Sequence, residues 1–453
     1  MENKLSRKYG LATAVAMVVG IVIGSGVFFK AEAVLTKTGG NMPLGIYAWL
    51  IVGAIMIACS YVFAVMAGKY SNVNGLVDYA EATVGKRYAY AIAWFSATIY
   101  TPAITSVLAW VSARYFCVIF GWDITGGSCL AIAGFFLCAV FVMNVLGPKI
   151  AGRFQVSTTV IKLIPLALMA VIGTIHGFSS GTFAQNFATA ANHSVSTSTG
   201  LLGSVVAVAY AYEGWILATS INAELKDAEK TLPRALIIGS LIVVATYILY
   251  YIGLSGAVST AELMESGEAA ARLAFQRLFG NGAGTLLFVL IVISCLGTLN
   301  GLTLANCRSF YAMAARNEGP HPDVYRQIDS STNMPVNSSV LSLLMSSAWL
   351  LFFFGANLVE TPWFGSYSFD SSELPIVTLY GMYIPILFCF MKNEKDLGTF
   401  KRFVMPGIAL AGCVFMVYAA FASHGVINVL HYLMIFAVIM IIGLCLKEHR
   451  NKA

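Results

Sequence analysis

Runs of roughly 20 mostly apolar residues, the length that crosses a bilayer core as a helix, recur about twelve times along the chain. They centre near Val22, Ala54, Ala103, Phe136, Pro165, Tyr210, Thr246, Ser294, Ser346, Tyr383, Leu410 and Phe436. The pattern predicts an all-α membrane protein, and an even number of spans puts both termini on one face. Weaker helical spacing, at Leu263, Ala270, Leu273, Phe275 and Leu278, predicts surface helices between Ser259 and Asn281. Val77, Tyr79 and Ala80 suggest the same between Gly68 and Lys86. The first run starts near Leu11, behind Lys4, Arg7 and Lys8. It continues past signal-peptide length with no A-x-A site and reads as a first span. No separate soluble domain is expected, and no low-complexity tract exceeds Asn192 to Gly200.

Composition sharpens this picture. Of 453 residues, 58% are hydrophobic and 11% charged, against about a quarter charged in soluble domains. That excludes a soluble enzyme, a disordered chain and a nucleic-acid binder. The net charge of +6 is mainly a topology signal. Of 27 Lys and Arg, 21 fall at the N-terminus and on every second loop, among them Lys69, Lys86, Arg87, Lys149, Arg308 and Lys452. The opposite loops hold Lys30, Lys37, Arg272 and Arg277. Positive loops stay cytoplasmic, so both termini are expected there, in a multi-pass protein of the plasma membrane. Arg114 lies at a span end beside Trp110 and Tyr115, where snorkelling explains it; Lys162 lies within the fifth span.

Most of the nine cysteines sit in apolar runs without metal-binding spacing. Cys129, near an outer loop, is the one candidate for a disulfide to a partner chain. None of the six histidines falls in HExxH, and neither GxSxG nor a P-loop occurs. No metal or cofactor is expected. A membrane-embedded enzyme therefore lacks a motif, and a channel lacks a charge ring.

Two spans are interrupted. The first reads Gly20-Ile21-Val22-Ile23-Gly24-Ser25-Gly26-Val27-Phe28, where glycines weaken the helix or serve a close-packed face. The sixth reads Ala209-Tyr210-Ala211-Tyr212-Glu213-Gly214-Trp215. An intramembrane carboxylate is costly unless it faces a cavity or a partner, so Glu213 is either a site residue or a buried carboxyl bonded to a neighbouring helix. The breaks occupy the same place in two five-span halves, the best sequence pointer to a transporter of inverted repeats. The boundaries are residues 1–190 and 191–395, with two further spans in 396–453. Unwound helix frees N–H groups for a carboxylate and carbonyls for an ammonium. A zwitterion suits both.

At these residues the chain resembles the L-amino acid transporter family of the amino acid–polyamine–organocation superfamily, as a prokaryotic-type member. The resemblance rests on Ile23-Gly24-Ser25-Gly26-Val27-Phe28 and on Tyr210-Ala211-Tyr212-Glu213-Gly214-Trp215. It extends to Glu224-Leu225-Lys226-Asp227 with Leu232-Pro233-Arg234-Ala235, and to Ser294-Cys295-Leu296-Gly297-Thr298-Leu299-Asn300-Gly301. It implies that spans one and six cross at mid-membrane. Amides near Val22 to Gly26, chiefly Ser25 and Gly26, would hold a substrate carboxylate, and carbonyls near Tyr210 and Ala211 its ammonium. The Tyr210 ring would cover the ligand from outside. It implies sodium-independent exchange of L-amino acids. It also implies that Lys162 stands where related symporters bind sodium, donating to carbonyls of the broken first span and to an eighth-span hydroxyl such as Thr298. An inner aqueous vestibule is the competing place for Lys162. The loop from Asp123 to Cys129 is short, so no partner glycoprotein is expected. Glu213 leaves two substrate classes open. A protonated or paired carboxyl suits small neutral amino acids, the preferred reading, and an ionised one suits cationic substrates. A proton-coupled symporter or uniporter on the same fold is the further alternative.

Overall fold

The computed structural model describes residues 9–70, 75–190 and 197–451. Lys4, Arg7, Lys8, Lys452 and most of the Asn192 to Gly200 tract lie outside the described residues. Among the described residues, eleven helices are long and apolar enough to cross a membrane, and one bent pair raises the total to twelve. Span 1 is that pair, Leu11–Val22 with Gly26–Lys37, bent by 42°. Spans 2 to 6 are Met42–Lys69, Lys86–Phe120, Gly127–Leu146, Pro148–Ser179 and Thr199–Asn222. Spans 7 to 12 are Ala228–Ala257, Asn281–Ala314, Val336–Asn357, Leu374–Asn393, Phe400–His424 and Val426–Leu446.

Burial sorts these helices. In the most apolar 18-residue stretch of span 6, 78% of the residues are buried, against 17% in that of span 12. A helix apolar all round must face protein or lipid, so span 6 is core and span 12 lines the periphery. Span 7 packs on spans 1 and 2, and the first part of span 6 packs on spans 1 and 2. Span 8 packs on spans 3 and 5, and span 3 also packs on spans 4 and 9. Two helix groups thus face each other across spans 1 and 8.

The predicted surface helices form. Between spans 7 and 8 lie Thr260–Ser266 and Ala270–Phe279, and between spans 2 and 3 lies Gly75–Thr83. The helix at Thr260 starts with a capping box of Ser259 and Glu262. Arg277 donates to both oxygens of Glu262, at 3.0 and 2.8 Å. These donors, with the Ser259 hydroxyl, hold the Glu262 carboxyl down to about 2. Asp78 of the helix Gly75–Thr83 pairs with Arg316.

Three expectations change. Lys30 is not a loop cation: it lies within Gly26–Lys37 and is buried against Glu373. Arg308, at the far end of span 8, is buried against Glu224. Cys129 is fully buried beside Cys117 of span 3, although Gly127 and Ser128 before it are exposed, so it is not an exposed outer thiol. Arg114 lies 5.0 Å from the Trp110 ring.

Candidate substrate-binding site

The site forms where both breaks meet. In span 1 regular helix stops at Val22 and resumes at Gly26. The first amides of a helix have no intrahelical acceptor, so the Gly26 and Val27 N–H groups are available at the gap. In span 6 the α-helix ends at Ala211, and a 3-10 helix runs from Trp215 to Glu224. Gly214 turns the chain with φ 99°, a value that L side chains seldom adopt. A Cβ on Gly26 would lie 2.7 Å from the Ala211 Cα. The two broken spans therefore touch backbone to backbone, and only glycine permits it.

A cavity of about 40 Å³ occupies the crossing. It has room for a few waters at roughly 10–15 Å³ each, so the space suits a small solute. Val22, Gly24, Ser25, Gly26, Tyr210, Glu213 and Thr298 line it, together with Ile104 of span 3 and Ile376 of span 10. Ile23 and Ala211 are buried behind this lining. Of the residues expected from the sequence, Ile23, Ala211 and Lys162 are not part of this lining.

Lys162 is fully buried. Its ammonium donates to Gly20 O at 2.8 Å, to Thr298 Oγ1 at 2.9 Å and to Ile23 O. That gives each of its N–H groups an acceptor. Two of the acceptors are carbonyls released by the break in span 1. The Thr298 hydroxyl itself reaches Gly20 O at 2.9 Å and Ile23 O at 2.8 Å. Lys162 therefore lies in the bundle core, not in an aqueous vestibule.

The carbonyls of span 6 are partly engaged. Glu213 N–H donates to Tyr210 O at 3.3 Å. The Tyr247 hydroxyl lies 2.9 Å from both Ala211 O and Val22 O, so it bridges the two breaks. Each carbonyl has a second lone pair, which leaves capacity for a ligand. Tyr100 donates to Glu213 Oε1, whereas Oε2 is buried with no hydrogen-bond partner. Tyr100 closes a π-helical turn, Ser96–Tyr100, a distortion often found at functional sites. Sequence reading missed Tyr100 and Tyr247, because a tyrosine in an apolar run carries no signal of its own. Among the described residues no group of three His, Cys, Asp or Glu could hold a metal ion.

The profile of the family described as amino acid permease matches residues 9–445. The chain belongs to this family of the amino acid–polyamine–organocation superfamily. It is an amino acid transporter and not an enzyme, and a multi-pass membrane protein. The serine/threonine exchanger SteT of Bacillus subtilis (strain 168) is 32% identical over 427 residues, covering 92% of this chain and 91% of SteT. The human cystine/glutamate transporter is 26% identical over 75% of this chain and 66% of its own length. The rat large neutral amino acids transporter small subunit 2 is 25% identical over 77% of this chain and 65% of its own. Among solved structures, that of MhsT in complex with L-phenylalanine superposes with a TM-score of 0.61 at 14% identity, covering 93% of this chain and 99% of MhsT. That likeness supports the fold of this amino acid permease.

Proposed function

We propose that this permease is a sodium-independent exchanger of small neutral L-amino acids, set in the plasma membrane with both termini cytoplasmic. The observation that carries the proposal is the Lys162 ammonium, which bonds to Gly20 O, Ile23 O and Thr298 Oγ1. A tethered cation there satisfies the carbonyls that a mobile cation would otherwise coordinate. The amides of Gly24, Ser25 and Gly26 receive the substrate carboxylate, helped by the dipole of the following half-helix; those of Val22 and Ile23 do not, because Val22 still belongs to the first half-helix and the Ile23 N–H donates to Val19 O at 2.8 Å. Carbonyls of Tyr210 and Ala211 receive its ammonium. The small cavity and the likeness to a serine/threonine exchanger favour short side chains. No partner glycoprotein is required in this reading. Residues 1–190 and 191–395 act as inverted repeats, and 396–453 adds two flanking spans.

One observation favours a second reading. Glu213 keeps an unpartnered oxygen, Oε2, against the cavity, where it can take a proton or a substrate cation. Proton-coupled transport and exchange of cationic amino acids follow from that.

Purified protein in liposomes tests the proposal. Liposomes loaded with unlabelled serine should take up labelled serine, and empty ones should not. Replacement of sodium by choline should leave the rate unchanged. Equal uptake into empty liposomes, strong sodium dependence, or loss of uptake on collapse of a pH gradient would each overturn the corresponding part.

A further inference from the structure

A second pocket, of about 520 Å³, lies apart from the substrate cavity, on the side of the termini. Tyr9 and Thr13, at the start of span 1, form one wall, and the first turns of span 5 form the other. The lining holds two cations, Lys149 and Arg153, and no Asp or Glu. Both are exposed, and among the described residues neither enters an ion pair. Lys149, Arg153 and Ser157 are spaced by four, so they follow one helix face, a turn apart. The hydroxyls of Tyr9, Thr13 and Ser157 add polar groups to the same space. Val156 also lines the pocket, and Val160, Ile164 and Leu168 follow it at every fourth residue. These four side chains are 38–61% exposed. They leave an apolar stripe that runs from the pocket toward mid-membrane.

We propose that this pocket binds an anionic phospholipid. Its phosphate-bearing headgroup lies between Lys149 and Arg153, and an acyl chain follows Val156, Val160, Ile164 and Leu168. Uncompensated cations at the edge of the bilayer call for an anion, and basic pockets between spans take up acidic headgroups. The apolar stripe calls for hydrocarbon attached to that anion. A soluble anion would leave the stripe unused, and a zwitterionic lipid would set its own ammonium against Lys149 and Arg153. The pocket also continues a seam between spans 1 and 5. Thr159 Oγ1 donates to Ala16 O at 3.2 Å, and Lys162 donates to Gly20 O and Ile23 O. A headgroup that meets Tyr9 and Thr13 as well as Lys149 and Arg153 extends this seam to the membrane surface. A ligand held only by the folded state stabilises it by mass action. The inference does not depend on which amino acid the protein carries.

The test uses the full chain, purified in a non-ionic detergent. Added dioleoylphosphatidylglycerol should raise the melting temperature of the parent by about 2–4 °C and appear as a bound adduct in native mass spectrometry. Dioleoylphosphatidylcholine and inorganic phosphate should do neither. Lys149→Gln combined with Arg153→Gln should melt like the parent without lipid, and should need about 30-fold more phosphatidylglycerol for the same shift. Lys392→Gln combined with Lys395→Gln removes two exposed cations at the end of span 10, on the same side of the membrane. That variant should respond like the parent. Equal stabilisation by phosphatidylcholine would leave an apolar groove without a headgroup site and overturn the proposal. Equal loss of response in both double variants would reduce the effect to general surface charge and overturn it as well. Equal stabilisation by inorganic phosphate would make the occupant a soluble anion and overturn the lipid.

Discussion

A fully buried lysine ammonium must find an acceptor for each N–H, and Lys162 finds them on spans 1 and 8. Hydrogen bonds to a charged group are worth about 1.5–3 kcal/mol each. Truncation also leaves Gly20 O and Ile23 O with the Thr298 hydroxyl alone. We expect Lys162→Ala to lower exchange turnover by roughly 10- to 100-fold while folded protein is retained, read as counterflow of labelled serine. Near-parental turnover would show that the ammonium is only structural. Glu213 is the second decisive residue. Glu213→Gln is nearly isosteric and still accepts from Tyr100, so uptake of small neutral amino acids should survive it. If the parent carries arginine or lysine and the variant does not, the neutral assignment is wrong. The position of Lys162 was legible in the sequence because a cation in an apolar run demands a partner. Tyr100, Tyr247 and the Lys30–Glu373 pair were not, since their roles depend on which helices meet.

Two broken helices cross only if their backbones can approach, and Gly26 is where they do. An added methyl would fall 2.7 Å from the Ala211 Cα, a main-chain atom that cannot rotate away. Overpacking of this kind costs about 1–3 kcal/mol. Gly26→Ala should therefore lower the melting temperature and abolish transport, and Ala211→Gly should not rescue it, because the Cα remains. Rescue would place the conflict on the Ala211 side chain instead. The sequence showed that this glycine matters but left open whether it faces ligand or helix; the structure places it against span 6. Spans and surface helices were legible from hydropathy because each needs only local pattern. The helices between spans 7 and 8 add a pH expectation. Glu262, with a carboxyl held down to about 2 by Arg277 and Ser259, stabilises this loop above the unfolded carboxyl value near 4.3. That contribution declines as pH falls through about 2. Hydrogen exchange of the Thr260–Ser266 helix should thus show no loss of protection between pH 8 and pH 6. Loosening within that window would mean that another group controls the loop.

At the scale of the whole molecule, the cavity lies between two buried ion pairs on opposite sides of the membrane. One is Lys30 with Glu373. The other is Arg308 with Glu224, 4% and 1% exposed in their side chains, which joins the far end of span 8 to the end of the 3-10 helix of span 6. Next to it, Tyr9 N–H donates to Glu224 O at 3.0 Å and Lys226 N–H to Tyr9 O at 2.8 Å, so the chain before span 1 is stitched to the same corner. Alternating access needs each side to open while the other holds, and each pair ties an element of the group containing spans 1, 6 and 7 to a helix outside it. Neutralising the carboxylate of either pair weakens that tie and favours the arrangement in which the remaining cation reaches water. The two pairs should consequently act with opposite sign. Leu108 lines the cavity from span 3. Glu373→Gln should speed labelling of Leu108→Cys by an impermeant maleimide from the outside in right-side-out vesicles and slow it from the inside in inverted ones. Glu224→Gln should do the reverse, speeding access from the side of the termini. Because both variants carry the same reporter in the same cavity, a general loosening of the fold would raise both rates together and refute the paired arrangement.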